Sequence, residues 1–332
     1  MKIGLVLGAG GHPGYPFQLV VLDAIERRLK IDLREIELVS GTSVGAMTGL
    51  LLRAGFSVTD QLAIARGQEP SAQGSHLLHH VMDPPGQLPP ALPPWRRPSF
   101  ASTGPMAAWR LLSANGRRRH RVPAAAASLL PRGRASHDII GRAADSLFVG
   151  VWPQRATWVV AMRTEDGGRT VFGRDIIPSS VGAAVTASSA IPGWFRPVEV
   201  DGHRHVDAGV RSTTNADLLA TRPDLDLTIV VPPMAIDRPR TAVLDAPLRW
   251  LVNAQLRAEL ETLHEAGMRT LVARPTAQIA AAMQGHPIHL SPERATRLLD
   301  ATSQWAYDWA DASLAAPLPT PAPAPGKVLA AA

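Results

Sequence analysis

Two periods of apolar residues run along this chain. Lys2 to Leu7 is a short apolar run rich in β-formers and followed by glycines, the pattern of a buried parallel strand. From Phe17 to Lys30 the spacing changes: Leu19, Leu22 and Ile25, with Ile31 nearby, recur at helical intervals. Glu35 to Ser40 reads as a second strand, and Ala46 to Ala54 as a helix that Gly55 stops. Strand, glycine loop, helix, strand, serine turn and helix in this order form a βαβα unit. It predicts an α/β fold with a parallel sheet.

Residues 66–136 break this rhythm. Prolines crowd MDPPGQLPPALPPWRRP and basic residues crowd 117–134, so the segment reads as an insertion of short helices and irregular loops, with the potential of a lid. Regular patterning returns at ATWVVAMRT and RTVFGR, joined by a hairpin-type EDGG turn. SSVGAAVTASSA reads as a helix of small residues, which implies close packing against a neighbour. FRPVEV, then DG, then HRHVDAG reads as strand, turn, strand, and LDLTIVVPP as another buried strand. Helices are predicted over 244–267 and 292–314, the second with Ser291 as N-cap and Pro292 in the first position. The Pro/Ala-rich tail, 316–332, is predicted to be disordered, which leaves 1–315 as one domain.

Composition sharpens the picture. The 332 residues are 45% hydrophobic, enough for a sizeable core, and only 19% charged. The net charge of +6 and a pI near 10.6 favour anionic partners, nucleic acid or a lipid surface. Much of that excess is local, around Arg117 to Arg121 and Pro131 to Arg134, and no interleaved aromatics or standard module point to specific nucleic-acid binding. The absence of cysteine removes disulfides, thiolate metal sites and cysteine nucleophiles. His76, His79 and His80 have helical spacing that would suit a metal, but no carboxylate stands near them in sequence. The N-terminal apolar run is too short for a signal-peptide core and no stretch reaches the length of a membrane span, so the expectation is a cytoplasmic protein, with peripheral contact to anionic membrane open.

Three segments carry candidate chemistry. Gly8 to Gly14, GAGGHPG, follows the first strand. Gly41 to Gly45, GTSVG, is a Gly-x-Ser-x-Gly turn between two apolar segments, and Val206 to Gly209, VDAG, ends a later strand. Acyl transfer needs a nucleophile, a base and donors for the tetrahedral oxyanion. By itself GTSVG reads either as an ordinary glycine-rich loop or as a nucleophile elbow, a tight strand-to-helix turn that would expose the Ser43 hydroxyl while its glycines permit backbone to approach where a Cβ would collide. A glycine loop opening a helix aims several N–H groups at one point, with the helix dipole behind them. Asp207, desolvated next to Ser43, becomes a stronger base.

At these residues the chain resembles the patatin-like phospholipases, lipid acyl hydrolases with a Ser/Asp dyad. The resemblance covers about 1–60 and 156–235 and includes the lead-in ASSAIPGWFRPVEVDGHRHVDAGV. It implies a three-layer α/β fold with a mostly parallel central sheet and helices on both faces. It also implies Ser43 and Asp207 as catalytic residues, Gly10, Gly11 and His12 as oxyanion donors, and Gly14, Gly41, Gly45 and Gly209 as motif glycines. The implied substrate is a lipid ester, with no metal or organic cofactor. Two positions depart from the family pattern. Pro13 stands where the family has arginine, and Ala208 where it has glycine.

Other readings remain at this point. LVLGAGGHPG superficially resembles a dinucleotide fingerprint, but counted from Gly8 its sixth position is Pro13, and ELVSG lacks the acidic residue a ribose would need. A silent lipid-binding protein, a thioesterase or an acyltransferase would keep the same motifs. His203, His205 and Asp207 alternate along one predicted strand face, which raises a Ser-His-Asp triad. A histidine between Ser43 and Asp207 would have to fold back over the aspartate, so His205 is expected to be a structural or rim residue.

Overall fold

Five residues buried on both sides, Ile3–Leu7, form the central strand β1 of the computed structural model, which describes residues 1–82, 133–237 and 246–315. Around it lie β2 (Leu38–Thr42), β3 (Ala156–Arg163), β4 (Arg169–Phe172), β5 (Val198–Val200), β6 (His203–Asp207), β7 (Leu227–Val231) and β8 (Thr270–Val272). The sheet order is β5-β6-β3-β2-β1-β7-β8, with β4 also paired to β3. Pairs from β3 through β2, β1 and β7 to β8 are parallel; β4, β5 and β6 add antiparallel pairs at one side.

Alternation along each central strand divides the core between two faces. Leu5 and Leu7 of β1 join Ile229 and Val231 of β7 on one face, while Val6 and Val230 turn to the other. The first face is covered by α1 (Gly11–Leu29), α3 (Val58–Ala65), α8 (Ala277–Ala282) and α9 (Pro292–Leu314), with α2 (Val44–Arg53), α5 (Asp138–Phe148) and α6 (Val181–Ser188) toward β3. The second face is covered by α7 (Ala246–Glu265) and the 3-10 turn Ala216–Thr221. This is the expected three-layer α/β fold. Helix α4 (Ala72–Met82) opens the expected insertion; the remainder of that insertion up to 132, and the expected tail, lie outside the described residues.

Local chemistry explains most boundaries. Helix α1 ends on Lys30, whose left-handed backbone (φ 54°) lets its N–H reach the Glu26 carbonyl. Ser57, Ser180, Thr276 and Ser291 each cap the helix that follows by accepting a backbone N–H. Asp201 and Gly202, both at positive φ, turn β5 into β6. Small residues let α5 and α6 touch: a side chain on Gly182 would overlap the Gly141 carbonyl. No helix among the described residues is long and apolar enough to cross a membrane.

The packing of α1 on α9 turns on Phe17, fully buried and stacked on Trp305 at 5.7 Å. Phe17→Ala is expected to destabilise the fold by about 3–5 kcal/mol, read by chemical denaturation.

Candidate active site

Strand β3 aligns the elements that build the site. It pairs Thr42 opposite Val160 and Asp207 opposite Ala161, so the ends of β2 and β6 arrive at adjacent positions. Ser43 follows Thr42 at φ 56° and ψ −124°, a conformation that costs a non-glycine residue on the order of 1–3 kcal/mol. The turn is held by contact and by hydrogen bonding. A Cβ at Gly41 would run into Ala46, and one at Gly45 into the Leu7 carbonyl, so both motif glycines are sterically required. The Ser43 N–H donates to Ser188 Oγ at 2.9 Å, and the Ser188 hydroxyl donates to the Val160 carbonyl at 2.7 Å. Gly14 is less constrained: its nearest neighbours would be Pro233 and Val44 at 3.3–3.4 Å.

Asp207 ends β6 with its own N–H on the Ala190 carbonyl. Its carboxylate accepts the Gly209 N–H at 2.7 Å and lies near enough to the Ser43 side chain for that group to hold its pKa down. Both residues are buried, Ser43 at 6% exposure and Asp207 at 5%. Burial pushes the Asp207 carboxyl up to about 6, against the opposing pull of Ser43 and Gly209. His205 takes no part in this contact. Its ring is buried beside Phe172, and Nε2 pairs with the Thr170 hydroxyl at 2.9 Å, a structural position.

The glycine loop lies beside this pair. Ala9 donates to the Thr213 carbonyl at 2.7 Å, and Gln18 Nε2 donates to the Gly8 carbonyl at 2.7 Å. Gly11 (φ 59°) begins α1, earlier than the apolar spacing predicts. Among the described residues no acceptor meets the N–H of Gly10 or Gly11. His12 differs from its expected role: its N–H is already spent on the Pro287 carbonyl at 2.7 Å. Pro13 falls in the first helical turn, where the helix has no use for an N–H. Ala208 stands buried at the start of a short 3-10 turn directly after Asp207.

Ser43, Asp207, Gly10 and Gly11 open on one cavity of about 660 Å³. Its walls are mainly apolar, with Ile191, Val210, Met234, Leu248 and Met283. Arg249, also in the wall, donates to the Met234 and Ala280 carbonyls and ties two wall segments together.

Several supporting residues escape sequence reasoning. Ser188 is one, in a run of small residues with no periodic signal. Another group braces the loop after Asp207: Asn215 Nδ2 donates to Thr42 Oγ1 at 3.1 Å, next to Ser43. Glu259 of α7, 2% exposed, accepts the Thr214 hydroxyl at 2.5 Å and the Ala216 N–H at 3.0 Å. Burial, with Asp217 nearby, raises the Glu259 pKa.

A buried serine at a strained strand-to-helix turn and a buried carboxylate thus line one cavity with two backbone N–H groups that have no acceptor among the described residues, on a three-layer α/β fold. The family model for Patatin-like phospholipase matches residues 5–220, and the chain belongs to that family, whose activity is lipid acyl hydrolysis. Among solved structures the chain is similar to VipD from Legionella pneumophila, at 14% identity and a TM-score of 0.42 over 94% of this chain and 67% of that one. No curated protein matches the chain.

The carboxylate of Asp207 has a sign-definite effect on stability. Its native pKa of about 6 exceeds the unfolded value of about 3.9, so ionisation disfavours the fold once the pH passes the unfolded pKa, and the cost levels off above the native one. Asp207→Asn keeps an acceptor for Gly209 and removes the charge. It is expected to gain up to about 3 kcal/mol at pH 8, a gain that shrinks toward zero near pH 4. Thermal unfolding across that range measures it.

Proposed function

We propose that the protein is a serine esterase that cleaves acyl ester bonds of lipids through Ser43 and Asp207. The observation that carries this reading is the Ser43 side chain beside a buried, raised-pKa Asp207, both lining one apolar cavity. Ser43 Oγ attacks the ester carbonyl while Asp207 takes its proton. The N–H groups of Gly10 and Gly11 hold the oxyanion of the tetrahedral intermediate. Collapse expels the alcohol, which leaves with the proton from Asp207, and an acyl-Ser43 remains. Water then attacks the acyl carbon, again giving its proton to Asp207, and the carboxylic acid departs with Ser43 restored. The cavity receives the acyl chain in place of water. The enzyme meets its substrate as a peripheral visitor to a lipid surface, and needs neither metal nor organic cofactor for these steps.

Wild type is expected to gain the mass of a fluorophosphonate adduct and to hydrolyse a p-nitrophenyl acyl ester. Ser43→Ala is expected to lose the adduct and Asp207→Asn to lose about 10²–10⁴-fold in kcat. An adduct that persists on Ser43→Ala would place the nucleophile elsewhere.

The proton transfer also sets a pH profile. Asp207 must be ionised to accept a proton, so kcat/KM is expected to rise with pH and reach half its plateau near pH 6. A profile flat between pH 5 and 8 would remove Asp207 from the role of base.

A further inference from the structure

Four polar residues in a row, Ser212, Thr213, Thr214 and Asn215, are buried in the loop that follows Asp207. Buried polar groups are costly unless each finds a partner. Part of the answer is internal: the Ser212 hydroxyl oxygen accepts the N–H groups of Thr214 and Asn215 at 3.2 and 3.1 Å. The rest comes from one face of α7, an element that lies beyond residues 5–220 matched by the family model. Gln255 Nε2 donates to the Arg211 carbonyl at 2.9 Å. One turn further along the same helix face, Glu259 accepts the Thr214 hydroxyl and the Ala216 N–H, both on Oε2. Helix α7 thereby grips the loop at both ends.

The loop in turn holds the two segments of the proposed chemistry. The Thr213 carbonyl accepts the N–H of Ala9, the residue directly before Gly10 and Gly11. Asn215 Nδ2 donates to the Ser212 carbonyl at 2.8 Å and to Oγ1 of Thr42, the residue directly before Ser43. Thr214 also packs against the glycine loop, where a Cβ on Gly8 would come within 3.2 Å of its methyl carbon. Glu259 itself is an unfavourable group to bury. Burial beside Asp217 raises its pKa, and its second oxygen, Oε1, has no hydrogen-bond partner. A leucine would fill similar space without that cost. What the acid supplies and leucine could not is one oxygen that two loop donors share.

We propose that Glu259 is a positioning residue for catalysis: through Thr214 and Ala216 it fixes the 212–216 loop, and through that loop it sets the Gly10 and Gly11 donors relative to Ser43. It touches neither substrate nor reacting atoms. A loop that shifts by a fraction of an ångström would carry Ala9 with it and move the donors off the oxyanion, where a displacement of about 1 Å can cost roughly a hundredfold in rate. The assignment rests on the esterase reading above and adds what holds that site in register.

The test follows p-nitrophenyl butyrate hydrolysis, with rates expressed per site labelled by exhaustive fluorophosphonate treatment. A loss of folded protein then lowers the number of sites and leaves the rate per site alone. Glu259→Leu is expected to lower kcat per labelled site by about 10–100-fold with KM within about twofold, since misplaced oxyanion donors act on the transition state. Glu259→Gln keeps an oxygen for Thr214 and Ala216 and is expected to stay within about threefold of wild type. Thr214→Val keeps the volume, removes one of the two donors and is expected to lose roughly 3–10-fold in kcat per labelled site. It decides the matter should Glu259→Leu not fold. An unchanged kcat per labelled site in Thr214→Val, an effect confined to KM, or a Gln variant as impaired as the Leu variant overturns the proposal. Wild type that labels and turns over no faster per site than these variants sinks the role of Glu259 alone. Wild type that neither labels nor turns over sinks the esterase reading and this role with it.

Discussion

The geometry of the site depends on the register of one buried strand. Residues 157–162 of β3 are buried throughout, and they pair with β2 at Thr42 and with β6 at Asp207 in adjacent positions. The Val160 carbonyl also holds Ser188, which in turn holds the Ser43 amide. Proposed nucleophile, proposed base and the pin on the strained turn are therefore all referred to the same few peptide groups. Slippage by one residue would send Trp158, Val160 and Met162 to the opposite core and separate Ser43 from Asp207 together. Hydrophobic burial thus supplies the precision that the proposed chemistry needs.

Polar groups behind the site are arranged so that few are left without partners. Gln18 joins the Gly8 carbonyl to Thr48, and Asn215 joins Thr42 to the Ser212 carbonyl. Glu259 collects donors from the loop that also accepts the Ala9 N–H. Such a network links the glycine loop, the serine turn and the aspartate turn from below, where a purely apolar filling would fix volume but not orientation. Asp207 is buried, accepts the Gly209 N–H and has no paired cation among the described residues, and burial raises its pKa.

Sequence carried a large part of this. Short apolar runs located β1, β2 and β7, helical patterning and caps located α2 and α9, and the DG turn located the β5–β6 hairpin, because each rests on chemistry within a few residues. GTSVG and VDAG were legible for the same reason. The start of α1 was not, since GHPG reads as a loop until Pro287 is seen to receive the His12 N–H. That same bond removes His12 from the free donors, a fact that depends on a residue 275 positions away. Helix α3 and α8 are short, and β8 has only partly buried residues, so their periodic signal is weak. Ser188 is separated from Ser43 by 145 residues and Asn215 from Thr42 by 173, which no local pattern reports.

The segments that carry Ser43, Asp207 and the glycine loop fall within residues 5–220, whereas Pro233, Met234, Leu248, Arg249 and the 283–287 loop, all of which face the same cavity, come from beyond them. The molecule thus takes the atoms of the proposed chemistry from one stretch of chain and much, though not all, of its cavity wall from another. Insertions or exchanges after residue 220 can reshape the cavity without touching the bonds that hold Ser43 at its strained angle. On the proposed reading, substitutions in that outer stretch can alter which substrates fit while the turn at Ser43 stays under steric lock.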